Sequence, residues 1–165
     1  MNDFLSQIRA ANSANLYYVA LFCTLALPDI CSSLEAPDGR TTAARYEYWF
    51  DKFVAPKYHS FLDGRTCYQF RCSILHQGTT QHPKSQYSRI IFLEPDSSGF
   101  VMHNNVLNDA LNIDVRIFCE DVISAVESWL PVAQQLPYFA ANLSKFVTRH
   151  SGGLPINVNG TTWIG

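Results

Sequence analysis

Apolar positions follow two rhythms along the chain. Up to residue 78 they recur every three or four residues or run together, which predicts helices; between residues 88 and 106 they form short runs separated by turn residues, which predicts strands. Asp3 and the Asn12-Ser13 pair offer helix starts, residues 14–35 are apolar on every face, and APDG at 36–39 spells a turn. Pro28 inside that apolar stretch should kink the helix or split it in two, with Asp29 suited to a new first turn. A second long helix opens at Thr41 or Thr42 and carries an aromatic stripe at Tyr46, Trp49, Phe50 and Phe53, ending near Pro56. Asp63-Gly64 precedes a third, RTCYQFRCSILHQ, with Gly78 placed as the residue that closes it.

Beyond a polar loop, SRIIFLE (88–94), the turn PDSSG and FVMHNNV (100–106) predict an antiparallel β-hairpin interrupting a helical protein. Asp114 reads as an N-cap, with Ile113 and Phe118 placed as a hydrophobic staple. The helix it opens has Phe118, Val122, Val126 and Trp129 on one face and meets Pro131; a last helix is expected over about 138–149. The expected fold is mainly α: one domain over residues 1–150, a bundle of four to five helices with a small inserted hairpin. Residues 151–165, rich in Gly, Pro and Asn, are expected as an extended tail.

Composition narrows the functional classes. The chain has 165 residues, 47% of them hydrophobic and 16% charged, an apolar balance that favours hiding surface in an oligomer. A net charge of −2 carries no basic excess of the kind that marks a non-specific nucleic-acid binder, so any nucleic-acid site must be local. The five cysteines include no CxxC pair and sit in apolar runs, which reads as reduced thiols of a cytoplasmic protein. The longest apolar run, residues 16–27, is shorter than the roughly 18 residues a membrane span needs, and the start of the chain lacks the pattern of a secretory leader. The expectation is a cytoplasmic protein with no membrane association.

No metal and no cofactor are expected. The five histidines are scattered, with no HExxH spacing, and neither GxGxxG nor GxxxxGK[ST] occurs. Cys72 and His76 are four apart and would share a helix face, but Cys72 lies in the last two turns, where the helix end disfavours a thiolate.

Arg71 and His76 carry the strongest signal. An arginine in an apolar helix must either face solvent or hold a carboxylate, because burying it unpaired costs several kcal/mol. His76 stands in the last turn, where the macrodipole favours a cation. Five residues at about 100° each set the two about 140° apart around the helix. They meet only if Arg71 wraps around, the last turn loosens at Gly78, or a second copy of the helix supplies the other member across a two-fold axis. Asp29 and Glu35, on the Pro-containing helix, are candidate carboxylates to orient either residue. Arg71 bridging one of them as a purely structural pair, with His76 closing the helix end, is the alternative.

Arg-Cys-Ser-Ile-Leu-His, residues 71–76, resembles the R-x(4–6)-H motif of the HEPN superfamily (higher eukaryotes and prokaryotes nucleotide-binding), which sits near the end of a helix in an all-helical core. The resemblance implies a metal-independent endoribonuclease acting as a homodimer, with the two motifs in one composite cleft. Arg71 and His76 would be catalytic, with Asp29, Glu35, Cys72 and Gln77 in support. RNA would be the substrate and, for a toxin or defence role, an antitoxin the protein partner. Other members have lost activity and serve as binding modules. Cys72 stands where active members usually carry Asn, Asp or His, and the hairpin lies outside the basic four-helix unit.

Overall fold

The computed structural model describes residues 1–95, 99–150, 152 and 162–165. Its helices are α1 (Asn2–Ser13), α2 (Tyr17–Glu35), α3 (Ala43–Phe53), α4 (Gly64–Gln77), α5 (Val115–Ala133) and α6 (Phe139–Leu143), with a 3₁₀ turn over Ala55–Tyr58. Strands β1 (Arg89–Leu93), β2 (Asn105–Leu107) and β3 (Ala110–Asp114) form one small sheet. A second ribbon pairs β4 (Arg149–His150) with β5 (Trp163–Ile164). The protein is therefore mainly helical with a small mixed sheet.

Helix boundaries follow the local chemistry. Thr42, Asp63 and Asp114 each accept a backbone N–H of the first turn they precede, at 3.2 Å for Thr42 and 2.7 Å for Asp63. Asp114 accepts two, from Arg116 and Ile117, at 2.8 and 3.2 Å. Gly78, left-handed at φ 66°, closes α4 by donating its N–H to the Ile74 carbonyl at 3.1 Å.

Neither internal proline ends or splits its helix. Helix α2 runs unbroken through Pro28, and α5 runs through Pro131 to Ala133. Proline removes one intrahelical hydrogen bond, but α2 packs against α1, α3, α4, α5 and α6, so burial of Leu25, Leu27, Cys31 and Leu34 outweighs that loss. Asp29 consequently lies mid-helix, not in a new first turn. Including Pro28 gives α2 19 residues, long and apolar enough by length and composition to cross a bilayer, with 61% of that stretch buried inside this protein.

The inserted sheet corrects the expected hairpin. β1 pairs not with residues 100–106 but in parallel with β3, Arg89 opposite Ala110 and Leu93 opposite Asp114. The antiparallel pairing joins β2 to β3, and its turn is Asn108-Asp109, both at positive φ (51° and 57°). Asn and Asp tolerate that conformation, and two successive residues in it give the tight hairpin turn matched to strand twist. Residues 110–112, to which the sequence assigned no element, are thus the start of the central strand, buried along its whole length. The expected PDSSG turn falls mostly outside the described residues, as does most of the tail. The last helix is shorter than expected: α6 ends at Leu143, and Arg149 and His150 are extended.

The core joins these layers. Trp49 of α3 and Trp129 of α5 meet edge to face with centroids 6.0 Å apart, and Phe92 of β1 bridges Phe70 of α4 and Phe118 of α5, each at 5.1 Å. Helix α4 is pressed onto α3 at Gly64, whose N–H donates to Asp51 Oδ1 at 2.6 Å and where a Cβ would lie 2.2 Å from the Glu47 carbonyl. No side chain fits against backbone at that distance. Gly64→Ala should therefore cost about 3 kcal/mol, read as a lower urea midpoint at unchanged m-value. An unaltered midpoint would show that the helices separate freely at this crossing.

Candidate functional site: an arginine shared by Asp29 and His76

Arg71, Asp29 and His76 come together within one chain. Arg71 Nη2 lies 2.7 Å from Asp29 Oδ2, and Arg71 Nη1 lies 3.2 Å from His76 Nε2. Helix α4 keeps its regular closing bond to Gly78, so the last turn does not loosen. The length of the arginine spans the 140° between the two positions. A guanidinium only donates, so His76 Nε2 is the acceptor and the imidazole in this contact is neutral, with its proton on Nδ1.

Burial grades across the three. The side chains of Asp29 and Arg71 are 13% and 20% exposed, whereas His76 stands at the surface. Burial raises the pKa of Asp29 above the ordinary aspartate value, although Arg71, Thr41 and His76 each pull it down. For Arg71, burial works against the charge, but the Asp29 carboxylate and the Cys72 sulfur outweigh it, so the guanidinium is held more firmly protonated than usual. Among the described residues Arg71 Nε is buried with no hydrogen-bond partner, and the 2.7 Å approach of Nη2 to Asp29 Oδ2 is an ion pair without aligned hydrogen-bond geometry. The guanidinium is thus paired at Nη2 and lightly held at Nη1, the end that meets the exposed His76.

The other expected residues separate from this group. Glu35 does not support it: its carboxylate accepts the indole N–H of Trp129 at 2.5 Å and serves the core. Gln77 is exposed and makes no side-chain hydrogen bond among the described residues. Cys72 Sγ is 3.9 Å from Arg71 Nη1, a weak contact, and Thr41, whose hydroxyl lies 2.7 Å from that of Ser32, pulls the Asp29 pKa down. The signal for Thr41 was faint, a hydroxyl next to the N-cap of α3.

All five cysteines are free, and burial pushes the thiols of Cys67 and Cys119 up to about 12 and about 11, which leaves no activated nucleophile at either. Of the remaining histidines, His103 packs on Tyr58 with ring centroids 5.4 Å apart, and His150 stacks on Trp163 at 4.1 Å. Comparison with known proteins gives no match: no family model, curated protein or solved structure is similar to this chain.

The electrostatics give a pH test with a definite sign. Because burial raises the pKa of Asp29, its neutral form is favoured in the folded state. The associated stability is fully present below the ordinary aspartate pKa and is lost as pH rises through the raised one. Arg71 limits that loss. Arg71→Met removes the counter-ion but keeps the apolar stem, and should cost about 3 kcal/mol near neutrality. The deficit should shrink towards pH 4 as Asp29 takes up its proton. Thermal midpoints of both proteins from pH 4 to 7.5 measure this, and a gap that stays constant over that range would show that Asp29 does not depend on Arg71.

Proposed function

We propose that the protein is a HEPN-like, metal-independent endoribonuclease that works as a homodimer. The observation that carries this reading is the Arg71–His76 contact: a surface imidazole at 3.2 Å from a guanidinium whose far side is fixed by a buried carboxylate. RNA supplies its own nucleophile, the 2′-hydroxyl beside the scissile phosphate, so cleavage requires proton transfer and positive charge but no metal.

In the free protein Arg71 Nη1 occupies the lone pair of His76 Nε2. A phosphate binding to Arg71 takes over that donor and frees Nε2 to accept the 2′-hydroxyl proton. The 2′-oxygen then attacks phosphorus, the bond to the 5′-oxygen breaks, and the His76 imidazolium returns the proton it took up to that leaving oxygen. The products are a 2′,3′-cyclic phosphate and a 5′-hydroxyl. Arg71 stabilises the charge on the phosphoryl oxygens, and Asp29 positions Arg71. Leu16, Tyr18 and Val19, each more than half exposed on or beside the helix that carries Asp29, support a second copy lying nearby. A toxin or defence role, with an antitoxin as partner, fits the same chemistry.

A second reading has its own support. The Asp29–Arg71 pair is mostly enclosed, and Cys72 stands where active relatives of this motif carry a polar residue, as in a catalytically silent binding module. Incubation of the purified protein with single-stranded RNA in EDTA separates the two. Cleavage should fall by about 10²-fold or more in both Arg71→Ala and His76→Ala. Cutting that survives either substitution sinks the nuclease reading, and a wild-type protein that cuts no RNA favours the silent module.

A further inference from the structure

A cavity of about 390 Å³ opens between α3, α4 and residues 79–88. Cys72 forms part of its wall and also lies 3.9 Å from Arg71 Nη1, so the cavity adjoins the Arg71–His76 pair. Helix α4 contributes Arg65, Tyr68, Gln69 and Cys72, spaced so that they share one face. Glu47 of α3 and His82 and Lys84 from the following segment complete the lining.

Three properties of this lining point to a ligand. Arg65 and Lys84 are exposed cations at the same opening, and neither enters an ion pair among the described residues. Two permanent positive charges thus face one carboxylate in a protein whose net charge is −2. Gln69 is only 8% exposed, yet its side chain makes no hydrogen bond among the described residues. Its amide is not among the enclosed, unpaired polar groups of the described residues, so it meets solvent at the cavity wall, where a ligand can take the place of water. The Tyr68 ring, part-buried, is held edge-on against Tyr46 with centroids 5.3 Å apart, which fixes its plane. His82 Nδ1 accepts the Lys84 backbone N–H at 3.2 Å, which leaves Nε2 as its remaining donor.

We propose that this cavity binds the nucleotide next to the scissile phosphate of a single-stranded RNA. Arg65 and Lys84 take the flanking phosphate, the base lies on Tyr68, and Gln69 with His82 Nε2 hydrogen-bonds its edge. The assignment rests on the ribonuclease reading and extends it from the reacting phosphate to its neighbour. Cations beside an aromatic ring suit an unstacked strand, whose bases can be splayed onto side chains.

The test uses the full chain carrying His76→Ala, so that the strand stays intact, and a fluorescein-labelled 12-nucleotide single-stranded RNA in EDTA, followed by anisotropy at several salt concentrations. Adding Arg65→Ala and Lys84→Ala should weaken binding at least tenfold. It should also lower the dependence of log affinity on log salt by about 0.7 per cation, about 1.4 for the two. Tyr68→Ala should weaken binding about tenfold while Tyr68→Phe binds like the parent. Lys145→Ala, an exposed cation outside the cavity, should change nothing; melting curves show whether each variant is folded.

The proposal is overturned if the parent does not bind the RNA, or if the double variant binds it as the parent does. Failure of the nuclease reading is separate. A wild-type chain that never cuts, but whose RNA binding depends on Arg65, Lys84 and Tyr68, loses the cleavage chemistry and keeps the cavity. Cleavage that depends on Arg71 and His76 but not on Arg65 and Lys84 does the reverse.

Discussion

The need to neutralise one arginine inside an apolar bundle fixes the arrangement of α2 and α4. A guanidinium four-fifths buried is tolerable only with a carboxylate beside it, and the partner has to come from another helix because α4 carries no acidic residue. Asp29 can fill that role only if α2 stays helical through Pro28. A break there would send the following residues elsewhere and leave Arg71 without its counter-ion. The proline is therefore retained where the packing of α2 against five other helices compensates for its missing N–H.

The same constraint shapes the chemistry. With Nη2 committed to Asp29 and Nε enclosed, Nη1 is the part of Arg71 that meets an exposed residue, His76. Enclosure on one side and exposure on the other make the cation fixed in position but available to an incoming anion. In the proposed reaction such preorganisation would lower the reorganisation needed as charge develops. It also explains why the pair resembles a structural bridge when seen from Asp29 and a catalytic group when seen from His76.

Local rules made much of this legible in the sequence. Thr42, Asp63, Asp114 and Gly78 are capping residues acting through their own backbone neighbours, so α3, α4 and α5 start, and α4 stops, as the sequence predicts. The sheet was less legible because strand partners are chosen by distant contacts. β1 finds β3, not the segment that follows it directly, and only the Asn108-Asp109 pair marks the true turn. Glu35 was misjudged for a similar reason. Polarity made it a plausible mate for Arg71, but Trp129, 94 residues away in the chain, claims its carboxylate. The angle between residues 71 and 76 was read correctly and still did not decide the contact, since a helical wheel places Cβ atoms and an arginine extends far beyond its own.

The cavity beside the site follows from how α4 is seated. Gly64 lets the start of α4 press onto α3, which brings Glu47 and Arg65 to the same opening and sets Tyr68 against Tyr46. One turn further along, Cys72 separates this polar wall from Arg71. A polar residue at that position would compete for Arg71 Nη1 and for the buried end of the cavity. A small thiol makes only a weak contact with the guanidinium, whose closer partners are Asp29 and His76. Cys72 thus stands between Arg71 and the polar groups of the cavity, touching both.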